Sequence, residues 1–195
     1  MNKSNFKYFY QPEFITDELN DQLLIDCEEL TNQQAIIIDS DGNVTNEHGR
    51  TNHIRSFQVL DETLDKILSP TLCIVKNNIK NYLKIFGLNN PQPRGISNFI
   101  NPDSVTWHKD TMSSDFDFEP NKIYHTFLIL CKDKLDDEFM VGITAGSADI
   151  WNIGFNVQLS SKMLLGHNQY LGHQYTKKTY KNMHILNIVW ADLSN

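Results

Sequence analysis

The chain has 195 residues, 40% of them hydrophobic and 21% charged, with a formal net charge of −7. This size and balance suit one domain with its own core, and the acidic surplus argues against a general phosphate-binding surface, which needs basic patches. Three widely spaced cysteines in apolar surroundings (Cys27, Cys73, Cys131) and the lack of any Cys-x-x-Cys pair argue against both a disulfide framework and a structural zinc site.

From Met1 to Phe6 no signal-peptide run occurs, and no stretch approaches the ~20 apolar residues of a membrane span, so a soluble, cytoplasmic protein is expected. The aromatic run Phe6–Tyr10 predicts a short strand stopped by Pro12. Thr16 then caps a helix whose first turn carries Asp17 and Glu18, with an apolar stripe of Leu19, Leu23, Leu24, Cys27 and Leu30. Ile36–Ile38 reads as a strand, Asp39–Asn43 as a turn, the polar residues to Asn52 as a loop, and the alternating Arg55–Val59 as another strand. A second helix starts at Ser69-Pro70 and stops at Gly87, with Leu72, Val75, Ile79, Tyr82, Leu83 and Phe86 on its buried side.

Asn89-Asn90-Pro91-Gln92-Pro93 breaks the chain, and from there the pattern is β. Strands are expected before and into Trp107-His108-Lys109-Asp110, at Ile123–Leu130 (apolar on both faces), at Phe139–Ala145, at the strictly alternating Trp151–Leu159, around Met163–Leu165, around Tyr170–Tyr175 and at Ile185–Trp190. The acidic segment Thr111–Asn121 reads as a loop, as does Asp133–Glu138. Two helices followed by many short strands predict an α+β, mainly β fold. It is read as a single domain of a supporting part (1–90) and a jelly-roll core (91–195).

His108 and Asp110, two apart on one extended strand, share a face. They form two thirds of the 2-His-1-carboxylate set that binds non-haem Fe(II) and leaves coordination positions open. A third ligand must come from a strand adjacent in space. Of the other histidines, His48 and His53 lie in the polar loop and His125 reads as a core or cavity-lining group. His167 and His173 both stand near strand ends where either fits.

Four segments make the chain resemble the 2-oxoglutarate/Fe(II)-dependent dioxygenases, in particular the AlkB-like and prolyl 4-hydroxylase-like members. These are Tyr10–Thr16 with the helix after it, Ile96–Ile100 running on to Trp107-His108-Lys109-Asp110, His125–Leu130, and Gly172-His173 with the strand ending at Trp190. The resemblance implies a double-stranded β-helix (jelly roll, cupin-like) buttressed by the two N-terminal helices. It implies Fe(II) held by His108, Asp110 and His173, with His167 in reserve. It also implies 2-oxoglutarate as cosubstrate, decarboxylated to succinate as a substrate C–H bond is hydroxylated. Asn98 and Tyr124 are expected near the cosubstrate.

The family's late basic residue, which pairs with the far carboxylate of the cosubstrate, falls here on His184. Lys181 stands close by, and Lys177 and Lys178 lie in the preceding loop. That departure keeps two other readings open: a jelly-roll binding module without catalysis, and a metal-dependent cupin-like enzyme that does not use 2-oxoglutarate. The loops 39–52 and 112–119 are expected as lids, with Trp107, Phe116 and Phe118 lining the mouth. Their acidity favours a cationic, peptidyl or small-molecule substrate over nucleic acid.

Overall fold

Ser69 and Pro70 begin a helix where the sequence places one. The computed structural model describes residues 8–33, 54–60, 68–102, 104–108, 122–144, 151–169, 171–178 and 182–193, and within them α2 spans Pro70–Phe86. The Ser69 hydroxyl accepts from the Leu72 N–H at 3.1 Å and donates to the Asp26 carboxylate. Asp26 also accepts from Gln22 at 2.8 Å, so one buried carboxylate of α1 (Asp17–Gln33) fixes the start of α2. Gly87 ends α2 at φ 109°, a left-handed conformation that a side chain would strain. α1 begins at the expected cap, with the Leu19 N–H on the Thr16 hydroxyl at 3.3 Å.

The strands are β1 (Tyr8–Gln11), β2 (Ile54–Leu60), β3 (Pro91–Ile100), β4 (Val105–His108), β5 (Ile123–Cys131), β6 (Glu138–Thr144), β7 (Trp151–Gln158), β8 (Leu164–Asn168), β9 (Gly172–Thr176) and β10 (Met183–Asp192). They form a six-stranded sheet, β1-β8-β5-β10-β3-β2, and a four-stranded sheet, β4-β9-β6-β7. Every pairing is antiparallel. From β3 to β10 the chain crosses between the sheets in the order of a double-stranded β-helix, and β1 and β2 extend the two edges of the larger sheet. The expected jelly roll with two buttressing helices is the observed architecture.

The central strands of the larger sheet, β8, β5 and β10, are buried on both faces. One face packs on the helices in a core of Leu23, Cys27, Leu72, Ile79, Leu83, Ile96, Leu128, Leu186 and Trp190, among others. The other faces the small sheet across a second core that includes Phe127, Ile129, Phe139, Val141, Leu165, Tyr175 and Ile185. All nine residues of β5 are buried, as expected of a central strand covered on both faces.

Three boundaries differ from the sequence reading. β3 starts at Pro91, inside the expected break. Prolines are tolerated there because Pro91 opens the strand and Pro93 lies at a register shift opposite Val189/Trp190, where the ladder does not need their missing N–H. β8 extends to Asn168 and so takes His167 into a strand. β4 ends at His108, so the strand expected through Asp110 is described only that far. The strand at 36–38, the loops 39–52 and 111–121, and the residues Asp110 and Lys181 lie outside the described residues.

Candidate metal centre

β4 and β9 pair so that His108 lies opposite His173. Their rings stand 4.3 Å apart between centroids, at 57°. His173 is also in register with Val141 of β6, which places it on the inward face of the small sheet. Phe139 stacks on its ring at 5.5 Å and 21°, and Phe127 of the larger sheet approaches at 5.9 Å. Two imidazoles on neighbouring strands, one of them wedged by aromatic rings, are a donor type that a first-row metal ion such as Fe(II) can use.

A third imidazole enters from the opposite wall. His167 on β8 comes within 4.6 Å of His173. Its Nδ1 lies 3.0 Å from the Asn168 carbonyl, which accepts only, so Nδ1 carries a proton. His125 pairs with His167 in register, with rings 5.6 Å apart and near parallel at 19°. The four histidines thus run in sequence from half-buried His108 inward to His167 and His125, which are 1% and 4% exposed. Among the described residues no group of three His, Cys, Asp or Glu side chains is set to hold a metal ion. The carboxylate expected to complete the set, Asp110, lies outside them.

The residues expected around the cosubstrate divide differently from the metal ligands. The register Leu186↔Asn98 and Leu186↔Leu128 puts Asn98 on the helix-facing side with Leu128 and Leu186. His184, opposite Leu130, shares that side, and so does Tyr124, which belongs to the helix-side core. His125, His167 and His173 project to the other face, because side chains alternate. Asn98, Tyr124 and His184 are therefore separated from His108 and His173 by the sheet itself.

Asn98 and His184 instead meet each other. The Asn98 amide nitrogen lies 3.0 Å from His184 Nδ1, and burial holds the His184 pKa below the usual imidazole value, with Glu28 opposing that shift. His184 is thus a neutral acceptor under the helices, not the cation expected at this position. The unfolded chain takes up this proton from about pH 6.5 downward while the native chain resists it, so the contribution of His184 to stability is present above that pH and lost below it. Urea midpoints should fall between pH 7 and pH 5.5 in the native sequence and fall less in His184→Gln, as read by tryptophan fluorescence.

The loop lysines are also engaged away from the histidines. The Lys178 ammonium pairs with Glu138 and the Lys178 backbone N–H donates to the Asp137 carboxylate at 2.7 Å, while the Lys177 ammonium reaches the Asn101 carbonyl at 3.4 Å. The inward positions of β10 in register with Cys131, Ile129, Phe127 and His125 are Met183, Ile185, Asn187 and Val189, none of them basic. Sequence reasoning passed over Ser97 and Asn187, which lie side by side in register on that inward face and are both buried. Their one signal was a polar residue at the parity of Phe99 and Ile185.

No protein-family model and no curated protein sequence matches the chain. Solved structures do. The non-haem α-ketoglutarate-dependent epimerase SnoN of nogalamycin biosynthesis matches with a TM-score of 0.70 at 12% identity, over 95% of this chain and 76% of that one. The α-ketoglutarate-dependent carbocyclase SnoK from the same biosynthesis matches at 0.68 and 11%, over 95% and 79%. A Pseudomonas putida prolyl-4-hydroxylase matches at 0.56 and 13%, over 98% and 95%. Across nearly its full length, then, the chain has the double-stranded β-helix fold of the α-ketoglutarate/Fe-dependent oxygenases. Among the described residues no helix is long and apolar enough to cross a membrane.

Proposed function

We propose that the chain is an Fe(II)- and 2-oxoglutarate-dependent oxygenase in which His108, His173 and Asp110 hold the metal. The observation that carries this reading is the pairing of His108 with His173 at 4.3 Å between rings, at the open end of an inward histidine row in this particular fold. The donor chemistry fits: two neutral imidazoles with one carboxylate suit Fe(II) and leave sites for a chelating 2-oxo acid and oxygen. SnoN has been crystallised with Fe3+, α-ketoglutarate and a nogalamycin compound, which supports the same pair of cofactors here. When bound, they supply the chemistry that releases carbon dioxide from the 2-oxo acid and puts oxygen into a C–H bond.

The protein's own part is positioning and exclusion of water. Phe127 and Phe139 fix the ring of His173, and the apolar core behind them closes the inner end of the site to solvent. With a net charge of −7, a small-molecule or peptidyl substrate suits the chain better than nucleic acid. The apolar inward positions Met183, Ile185 and Val189 favour, as a second reading, a metal-dependent jelly-roll enzyme that does not use 2-oxoglutarate. Anaerobic titration with Mn(II), followed by loss of the free-ion magnetic resonance signal, tests the proposal at its base. One tight site per chain is expected, and its absence overturns both readings.

A further inference from the structure

We infer that one surplus residue in β4, taken up at Thr106–Trp107, is the positioning element that turns His108, and with it Asp110, into the barrel. This rests on the reading of His108 and His173 as metal ligands, and adds how the sequence reaches that arrangement.

The neighbouring strand β9 sets the reference. Tyr175 pairs with Phe139 of β6 and His173 pairs with Val141. Phe139, Val141 and Tyr175 belong to the core between the sheets, and His173 is buried beside them. Tyr175 and His173 therefore both face inward, as regular alternation requires of residues two apart. On β4 the partners of these two residues are Val105 and His108, which are three apart. Three steps along one strand against two along the other leave one residue over, and the register shift between Val105 and His108 takes it up as a β-bulge. Because β4 is an edge strand of the small sheet, the bulge sits where such features are common.

Its consequence is a change of parity. In an unbroken ladder that starts from Val105 opposite Tyr175, position 107 falls opposite His173 and position 108 lies on the outer face. Asp110 has the parity of His108 and would turn outward with it. Hydrophobic pattern alone favours that outcome, since Val105 and Trp107 are apolar while Thr106 and His108 are polar. The structure has the other arrangement, with the His108 and His173 rings 4.3 Å apart between centroids. The bulge thus serves the metal site. It lets a strand of four residues meet Tyr175 of the core at one end and turn its histidine to His173 at the other.

Deleting Thr106 tests this, because two steps then remain on each strand and the ladder closes with Val105 and His108 keeping their partners. Mn(II) affinity, followed by magnetic resonance, is expected to stay within about threefold of the native value, and the metal-free melting temperature to hold or rise. Deleting Gln174 from the regular β9 is the control. One end of that ladder must turn over, so binding or stability is lost. A Thr106 deletion that folds but loses Mn(II) as His108→Ala does overturns the inference. So does one that keeps Mn(II) but melts as low as the Gln174 deletion. If the Thr106 deletion does not fold, nuclear Overhauser contacts between β4 and β9 decide, measured in the native protein loaded with diamagnetic Zn(II). Val105 opposite Tyr175 and His108 opposite His173 are expected, and Trp107 opposite His173 overturns the inference while leaving the oxygenase reading to its own test. Native protein that binds no Mn(II) overturns both.

Discussion

His108→Ala and His173→Ala are each expected to weaken Mn(II) or Fe(II) binding by at least about 100-fold, more than is usual for loss of an outer-shell partner of a ligand. The two rings stand side by side on paired strands, so removing either leaves a single imidazole and whatever carboxylate completes the set. The effect on the apo fold should be small by comparison. His108 is only half-buried, at the end of the short β4. Metal titration at equal protein concentration, with thermal melts recorded without metal, separates loss of a ligand from loss of the fold. An affinity unchanged in both variants would remove these residues from the site.

The largest expected effect on stability comes from one methyl group. A Cβ added at Gly166 would lie 2.2 Å from Phe9 Cζ, 2.6 Å from Cε1 and 2.8 Å from Cε2. The Phe9 ring has little room to retreat, since it packs edge-on to Tyr82 at 5.4 Å and against Phe86 at 4.6 Å. Gly166→Ala should therefore behave as an overpacked core site and lose about 2 kcal/mol, lowering the melting temperature by about 4–8 °C for a chain of this length. In a Phe9→Leu background the same substitution should cost much less, because the atoms it meets are gone, and the difference measures the contact directly. Gly166 precedes His167, so the strand shift that relieves the clash also displaces the inner histidines. The variant should lose metal-dependent binding of 2-oxoglutarate beyond what its stability loss explains.

Most of the scaffold was legible in the sequence because its signals are local. Thr16, and Ser69-Pro70 with Gly87, mark helix ends by chemistry that needs no distant partner. Ile123–Leu130 announces a buried central strand by having no polar face at all. That same uniformity hid the orientation of the site. A strand apolar on both sides gives no alternation to show which residues face the helices, so Tyr124, like the Asn98 and His184 that the resemblance implied, read as a neighbour of the cosubstrate when the register puts all three on the helix side. His108 and His173 were legible as residue types, but only pairing across the sheet shows that they touch. His167 stands next to the end of β8, as read, but the strand reaches back through Gly166, where the missing side chain admits the Phe9 ring. His125 lay within an apolar run, and only the strand beside it shows that it faces His167.

Succinate released from 2-oxoglutarate tests the central claim most directly. Protein reconstituted with Fe(II) and supplied in air with 2-oxoglutarate and with ascorbate, which reduces the second oxygen atom in place of a substrate, is predicted to form succinate slowly with matching oxygen uptake, and to stop when His173 is replaced by alanine. Folded, metal-loaded native protein that forms no more succinate than His173→Ala would contradict the account.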